Sequence, residues 1–575
     1  MLRELPLGNP PAADLNGNGH NTDEFPLVVA RVTDGWAVFL DTNLNGSFED
    51  EMPLHDYRQG RETVTLGRRP ITLAANFQEV DGAPRLDLYF DTSGHGTHVA
   101  GIAAGHNLYD VAGFHGVAPG AQLIGLKIAN DARGGITVHG SIARAMAYAA
   151  RFARERNLPL VLNLSFGVGN EREGRAVIDS LVNAFIMAHP RVVFVISAGN
   201  DGPGLSTLGL PGSADLALTV GATFPGVFAR PPEPGRAPAA DVPGPWSARG
   251  AELAKPDLLA PGVAFSTVPR WNTGDEVKLG TSMAAPQVAG LAACLLSAMA
   301  QESRPVTGSD IAQALRASGR RLRGATVLDQ GAGLPHLPEA YEWLTAGHQG
   351  SEYVIRTGAG ASAAFRRDGL GGPGDTLDVF QVSHATGRRA AQYLLRPDVP
   401  WLRAPSLVDA APGATDITVV RRTGALDAPG AYVGSVAAFN PSDTLAGPLF
   451  RLVSTVVVPH DLTARALADE RRSIGAARVQ RYFLEAPVAG ATLEIAVTLP
   501  DSATQSATVH LYEPTGQPYR DGGEVALGQA ERGTARIRVR GEDLVPGVYE
   551  LDVAAPPAAP VTATVRARLH AVALA

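Results

Sequence analysis

The sequence of 575 residues predicts an α/β domain, with a parallel sheet flanked by helices, followed by two β-sandwich domains. Residues 91–345 alternate apolar runs of strand length with runs at helical spacing, the order that builds parallel sheets. Beyond residue 375 the pattern changes to short alternating strands between turn residues, which is typical of sandwiches. We therefore predict four regions: an N-terminal insert-like part of the α/β domain at 1–90, its core at 91–345, and sandwiches at 350–460 and 470–575, the second jelly-roll-like.

The individual elements follow from the same patterns. In the α/β region we predict buried parallel strands at Gln122–Ile128, Leu160–Ser165 and Val192–Ser197. Helical spacing predicts helices over Ser141–Arg154 and Ser309–Ala317. Glycines around 348–375 predict a linker, and later strands are predicted at Gly430–Phe439, Leu449–Val458, Ala491–Leu499 and Gly547–Ala554.

Composition narrows the functional classes. With 49 Lys and Arg against 57 Asp and Glu the net charge is −8, and without a basic block we expect no nucleic-acid partner. The single cysteine, Cys294, excludes an intrachain disulfide and is predicted to be a buried small hydrophobe. No apolar run reaches the length of a membrane helix. The first thirty residues lack the apolar core of a signal peptide, and a secreted or periplasmic location is slightly favoured over a cytoplasmic one.

One serine stands at the start of the most apolar helical run. Ser282 lies in the segment Gly280–Pro286, and the run from Val288 to Met299 follows. Proline is tolerated in the first turn of a helix, so Pro286 predicts that Ser282 lies at or just before the N-terminus. That end carries partial positive charge and unpaired N–H groups, which suit a hydroxyl that develops anionic character. A serine N-cap on an ordinary core helix explains the segment equally well.

A histidine motif precedes the serine. His95 lies between Gly94 and Gly96, so its ring and backbone can come close to a substrate, and a small-residue helix follows. A single histidine beside an apolar segment usually has no special role. Its combination with the Ser282 segment, in the order His then Ser, changes that interpretation.

Together the two segments closely resemble the motifs of the subtilisin-like serine peptidases, the subtilases. The resemblance implies a subtilisin-like fold, peptide or protein substrates, and no cofactor for the chemistry. It also implies that Ser282 is the nucleophile and His95 its general base. A third segment, Val192–Gly202, resembles the strand and turn whose asparagine, here Asn200, donates to the oxyanion. A plain turn residue would fit at Asn200 too.

A fourth segment resembles the substrate-binding strand of the family. That strand adds the substrate backbone to its free edge, which implies Ser165, Phe166 and Gly167 as substrate-binding residues. Four further segments resemble the tripeptidyl-peptidase II branch of the subtilases: Asp34–Tyr57, Gly116–Gln122, Ala446–Arg451 and Arg481–Phe483.

Two positions depart from that branch. Its glutamates bind the free amino terminus of the substrate; this chain has Val168 at one of these places and residues 135–138, Gly-Ile-Thr-Val, at the other. An ammonium group needs a carboxylate partner in a partly desolvated site. We therefore expect a serine endopeptidase, with a tripeptide-releasing exopeptidase as the alternative.

The aspartate of the catalytic triad stays unassigned. The family places it at the end of an apolar strand as D-S/T-G, and here Ala37–Thr42 contains Asp41 while Asn43 replaces the glycine. Either Asp41 or a residue upstream of Met1 would supply the acid, and we favour the second. Without the acid, the chain would be an impaired peptidase or a peptide-binding pseudopeptidase.

Asp41 also begins the second copy of an acidic repeat. Asp14–Glu24 and Asp41–Glu51 both read D-x-N-x-N-G-x-x-x-D-E. Alternating oxygen side chains before a glycine resemble calcium loops, so structural calcium is one interpretation. Asn-Gly turns in hairpins are the other, without metal.

Overall fold

The computed structural model describes residues 1–4, 14–16, 18–67, 71–129, 139–170, 173–229, 239–369, 376–500, 504–519, 524–528, 533–557 and 559–570. The chain divides into two compact units. The first contains Met1–Tyr148 and Phe265–Lys278, and the second contains Ala149–Ala264 and Leu279–Ala575.

The first unit is built from small antiparallel sheets. Counted along the chain, its first and second strands pair with each other, and so do its third and fourth. Its fifth, sixth and seventh strands form one three-stranded sheet. Phe25, Val38, Leu66 and Leu73 are buried together between them because alternate side chains of each strand face inward. The strands are β1 (Leu2–Arg3), β2 (Glu24–Phe25), β3 (Leu27–Val32), β4 (Gly35–Leu40), β5 (Val64–Leu66), β6 (Ile71–Val80) and β7 (Ala83–Tyr89), and the helices are α1 (Tyr57–Gly60) and α2 (His95–Ala104).

The predicted strand Gln122–Ile128 is wrong. These residues have no strand pairing in the described structure, and the Leu123 side chain is 56% exposed. An apolar run becomes a strand only where a neighbour supplies partners for its N–H and C=O groups. The predicted helix at Ser141–Arg154 is confirmed as α3 (His139–Glu155), which begins in this unit.

The second unit contains a parallel sheet, as predicted. Its strands are β8 (Leu160–Leu164), β9 (Val192–Ser197), β10 (Leu218–Phe224), β11 (Val242–Pro243) and β12 (Leu258–Pro261). Two short strands, β13 (Val263–Phe265) and β14 (Val277–Leu279), each have residues in both units. β9 pairs in parallel with β8 and β10, and β12 pairs in parallel with β10. Two of the three predicted parallel strands are therefore confirmed, and β9 is buried on both faces.

A long apolar helix packs on this sheet. The helices are α4 (Val177–Ala188), α5 (Gly226–Ala229), α6 (Thr281–Gln301), α7 (Gly308–Ala317), α8 (Val327–Gln330) and α9 (Leu337–Thr345). Ala284 and Val288 of α6 are buried with Val193 and Val220 of the sheet. Of the described helices only α6 is long and apolar enough to cross a membrane, and 61% of its most apolar window is buried inside the protein. Cys294 is half-buried on α6, and burial raises the pKa of its thiol.

The rest of the second unit is β-rich, in agreement with the predicted fold class. The strands are β15 (Ser351–Thr357), β16 (Ala364–Arg366), β17 (Thr376–Gly387), β18 (Gln392–Pro397), β19 (Leu402–Arg403), β20 (Leu407–Asp409), β21 (Ala414–Arg421), β22 (Gly430–Phe439), β23 (Pro448–Val458), β24 (His460–Asp461), β25 (Leu467–Ile474), β26 (Val479–Ala486), β27 (Thr492–Thr498), β28 (Ser506–Tyr512), β29 (Glu524–Gly528), β30 (Thr534–Val539), β31 (Gly547–Ala554) and β32 (Val561–His570). Four sheets result, of orders β15-β17-β21-β19, β16-β23-β22-β18-β20, β24-β26-β31-β28-β29 and β25-β32-β27-β30. The first two share one apolar core and the last two share another.

The predicted linker at 348–375 is wrong over much of its length. β15 and β16 lie within it, and β15 pairs along seven residues with β17. Gly360, one of the described glycines of this segment, has positive φ between β15 and β16, so glycine there serves a turn and not a spacer. The predicted domain boundaries remain predictions.

Candidate active site

The amide of Asn200 has a fixed orientation. Asn200 follows β9, and the backbone N–H of Thr281 donates to its Oδ1 at 2.9 Å, while Thr281 Oγ1 lies 3.0 Å from the same oxygen. Because a backbone N–H can only donate, Oδ1 must face Thr281 and Nδ2 must point away from it. The Asn200 residue is exposed. Its side-chain N–H groups are therefore presented outward, as an oxyanion donor requires.

Glycine is needed next to this amide. Gly280 has a φ of 149°, and a Cβ built on it would lie 3.2 Å from Asn200 Nδ2. A side chain at this position would press on the amide and force strained backbone. α6 begins directly after it, so Ser282 is the second residue of a buried helix and is half-buried. A serine hydroxyl there lies at the positive end of the helix dipole.

The prediction that Pro286 lies in the first turn of this helix is wrong. α6 begins at Thr281, which makes Pro286 its sixth residue. A helical proline has no N–H to donate to the carbonyl four residues earlier, and here that carbonyl belongs to Ser282. The Ser165 hydroxyl donates to this Ser282 oxygen at 2.9 Å. Because the Ser165 hydroxyl replaces the missing backbone donor, the helix tolerates a proline beyond its first turn.

The segment predicted to bind substrate lies where β8 ends. Ser165 and Phe166 are half-buried and Gly167 is exposed. In the described sheet β8 pairs with β9 on one side only. The structure thus brings Ser165 together with Ser282, a contact that sequence reasoning did not find. The spacing of Ser282 and Pro286 was the available signal.

His95 lies in the first unit and is the first residue of α2, after Gly94 with a φ of 70°. Burial lowers the pKa of the His95 imidazole, and the charges of Lys278 and His98 lower it further, against a smaller opposing effect of Asp91. Because its pKa is lowered, the His95 imidazole stays neutral down to a lower pH than the imidazole of an exposed histidine does. The neutral ring is the form that a general base requires.

Two aspartates of the first unit serve the local backbone. Asp41 is buried, and its carboxylate oxygens accept the N–H groups of Asn45 at 3.1 Å and Gly46 at 2.9 Å. Asp91 accepts the N–H groups of Gly94 at 3.0 Å and Thr97 at 3.1 Å, which fixes the start of α2. Both carboxylates are therefore accounted for by turns, and the acid of the triad stays unassigned.

The acidic repeats form closed hydrogen-bonded loops. In the second copy the Nδ2 groups of Asn43 and Asn45 both donate to Asp50 Oδ2 at 2.9 Å, and Asn43 lowers the pKa of Asp50. The first copy repeats the pattern with Asn16 and Asn18 on Asp23. Among the described residues no three His, Cys, Asp or Glu side chains converge as a metal site. A calcium ion would have to use amide oxygens as well and replace bonds that the loops already make.

Replacing Asp41 with asparagine is expected to lower the Tm and leave kcat/KM within a few-fold, because its carboxylate bonds the loop. Thermal melts with and without millimolar calcium and a peptide assay measure both effects. If calcium binds the folded loop, it raises the Tm of the unaltered protein and raises that of the Asp41→Asn variant less. Asp14→Asn, in the other repeat, is the matched control. A kcat loss of about 10⁴-fold in Asp41→Asn alone would instead identify Asp41 as the triad acid.

The loop after Asn200 is held by residues distant in sequence but within the same unit. Tyr512 donates its hydroxyl to the Asp201 carbonyl at 3.1 Å, and Arg481 Nη2 donates to the Pro203 carbonyl at 2.9 Å. Glu550 accepts the backbone N–H of Leu205 at 3.1 Å. Tyr512 and Glu550 are almost fully buried. One segment of the family resemblance, Arg481–Phe483, therefore contributes to holding this loop.

Comparison with known proteins defines the class. Residues 72–333 match the model of the subtilase family, and this part of the chain is similar to the subtilases. The similarity extends to the tripeptidyl-peptidase II branch. The chain is 26% identical over 513 residues to tripeptidyl-peptidase 2 of Drosophila melanogaster, covering 83% of this chain and 35% of that protein.

Two further comparisons agree. The chain is 34% identical over 341 residues to tripeptidyl-peptidase 2 of Arabidopsis thaliana, which is 56% of this chain and 24% of that protein. The crystal structure of tripeptidyl peptidase 2 matches with a TM-score of 0.72 at 22% identity, covering 95% of this chain and 45% of that chain. This match shows the fold. The chain spans about a third or less of the length of these curated relatives.

Proposed function

We propose that this protein is a serine endopeptidase that hydrolyses internal bonds of peptides or proteins. Ser282 attacks the peptide carbonyl, and His95 takes its proton and returns it to the leaving amine. Asn200 Nδ2 and the backbone N–H of Ser282 stabilise the oxyanion. The observation that carries the proposal is the Asn200 amide, whose donors are turned outward beside the N-terminus of the Ser282 helix.

The endopeptidase assignment rests on the residues after β8. The Val168 side chain is 52% exposed, and its backbone N–H and C=O pair with Leu210. Glu173, the next described glutamate, is buried and accepts the N–H groups of Leu208 and Ala251. Burial and a neighbouring glutamate raise its pKa well above the usual value, which disfavours the anion that an ammonium group needs. Residues 135–138 lie outside the described residues.

Cleavage is expected to proceed with similar kcat/KM on a peptide with an acetylated amino terminus and on the same peptide with a free one. The physical reason is that position 168 has no carboxylate to bind the free terminal ammonium group of a substrate. Kinetics on the peptide pair, with mass spectrometry of products, measure this. The designed counterpart, Val168→Glu, should shift the preference toward the free terminus. Strict dependence on a free amino terminus, with tripeptides as sole products, would establish the exopeptidase instead.

A pseudopeptidase that binds peptides without cleaving them is the second candidate. The unassigned triad acid motivates this candidate, because an imidazole that no carboxylate orients is not stabilised as imidazolium. Irreversible labelling of Ser282 by a fluorophosphonate separates the candidates, since an inert serine does not react.

No cofactor is proposed for the chemistry. Weak calcium binding in the acidic loops is proposed as a stabilising feature, and loops of low affinity suit compartments with millimolar calcium. A secreted or periplasmic location fits this assignment.

A further inference from the structure

We propose that Ser165 is a positioning residue for the nucleophile: its hydroxyl supplies the hydrogen bond to the Ser282 carbonyl that Pro286 cannot supply. The inference rests on the proposed function, in which Ser282 attacks the substrate. It gives Ser165 a role in addition to the substrate contact expected from the family.

Pro286 leaves one carbonyl of α6 without its intrahelical donor. In an α-helix the carbonyl of Ser282 accepts the N–H of residue 286, which is proline here. The neighbours Met283 and Ala285 are buried and Ser282 itself is half-buried, so water has limited access to this part of the helix backbone. A shielded carbonyl requires a donor from elsewhere. Ser165 Oγ, at 2.9 Å, is that donor.

The hydroxyl proton of Ser165 has a defined direction. The Ser282 carbonyl can only accept, so the single hydroxyl proton of Ser165 must point toward it. Asn163 Nδ2 donates to Ser165 Oγ at 3.0 Å and occupies a lone pair of that oxygen. Asn163 on β8 therefore orients Ser165, and Ser165 in turn fixes the peptide group of Ser282.

The bond from Ser165 bears on catalysis through the position of the nucleophile. Fixing the carbonyl of Ser282 fixes the backbone from which its side chain projects, and hence the position of Oγ. Displacing a reacting group by about 1 Å can cost about 10²-fold in rate. Loss of the Ser165 hydroxyl should therefore lower kcat and leave KM nearly unchanged.

The experiment uses two side chains of matched shape that differ in the hydroxyl. Ser165→Thr keeps a donor, whereas Ser165→Val has a methyl group in its place and leaves no room for water. We expect kcat of Ser165→Thr within about threefold of the unaltered chain and kcat of Ser165→Val about tenfold lower, with KM changed less than about twofold. The rate of fluorophosphonate labelling should fall in parallel with kcat.

The Pro286→Ala background provides the decisive comparison. Alanine restores an N–H that donates to the Ser282 carbonyl, so the Ser165 hydroxyl becomes redundant. The ratio of labelling rates between Ser165→Thr and Ser165→Val should fall from about tenfold to about twofold or less in this background. Equal ratios in the two backgrounds would overturn the inference.

The remaining outcomes are distinguishable. A reactive Ser282 with equal rates in Ser165→Thr and Ser165→Val overturns the positioning role alone, even if the Tm differs between them. An unreactive Ser282 in the unaltered protein overturns the proposed function and this inference together.

Discussion

Replacing Ser282 with alanine is expected to abolish fluorophosphonate labelling and to produce the largest loss of peptidase activity of any single substitution. With a complete triad the loss in kcat should be about 10⁶-fold. Where no carboxylate orients the histidine, the starting rate is already about 10⁴-fold lower and the further loss is about 10²-fold. The size of the loss therefore also reports whether the triad acid is present in this chain.

Ser297→Ala is the matched control for this measurement. Ser297 lies on the same helix but is exposed near its other end, so the control should keep both labelling and turnover. Peptide mapping of the labelled protein locates the modified residue. Persistent labelling of Ser282→Ala, or a label found on another serine, would show that the nucleophile is assigned wrongly.

Replacing Asn200 with leucine is expected to lower kcat by about 10²- to 10³-fold and to leave KM almost unchanged. Leucine has nearly the shape of asparagine but no N–H groups, so it removes a donor that acts on the charge of the transition state. A peptide aldehyde, which forms an oxyanion with the enzyme, should lose affinity by a similar factor. The steady-state constants and the inhibition constant measure the two effects separately.

Asn183→Leu provides the comparison with a structural asparagine. The Asn183 side chain makes two hydrogen bonds: its Nδ2 donates to Asp215, and its Oδ1 accepts the backbone N–H of Leu216. Its loss should lower the Tm and leave kcat unchanged. If Asn200→Leu behaves in the same way, Asn200 is a turn residue and not a donor to the oxyanion.

The fold could be predicted where the local pattern and the tertiary environment agree. β9 and β31 have the bounds that the continuous apolar run Val192–Ser197 and the alternating segment Gly547–Ala554 predicted. Helix α7 starts at a capping box of Thr307 and Asp310. The segment Gln122–Ile128 has an equally apolar pattern and is not a strand. The apolar pattern of a sequence indicates which side chains favour burial. Strand formation also requires hydrogen-bond partners for the backbone, and these come from a neighbouring strand and not from the segment itself.

The candidate site shows the same limit. Motif spacing pointed to Ser282, His95 and Asn200, and each lies at an element terminus suited to its proposed role. Thr281 was missed because a small hydroxyl side chain in a helical segment has no distinctive pattern. Its bond to Asn200 joins residues 81 positions apart.

By itself, the sequence determined the α/β class, the β-rich C-terminal part and the segments that carry the candidate chemistry, because periodicity and short motifs are local properties. Only the tertiary structure decided how those segments are held in place. Ser165 reaches Ser282 across 117 positions, and Tyr512 reaches the carbonyl of Asp201 across 311. A hydrogen bond depends on angstrom distances between donor and acceptor. Such distances are set by the packing of whole sheets and helices, which no local pattern encodes.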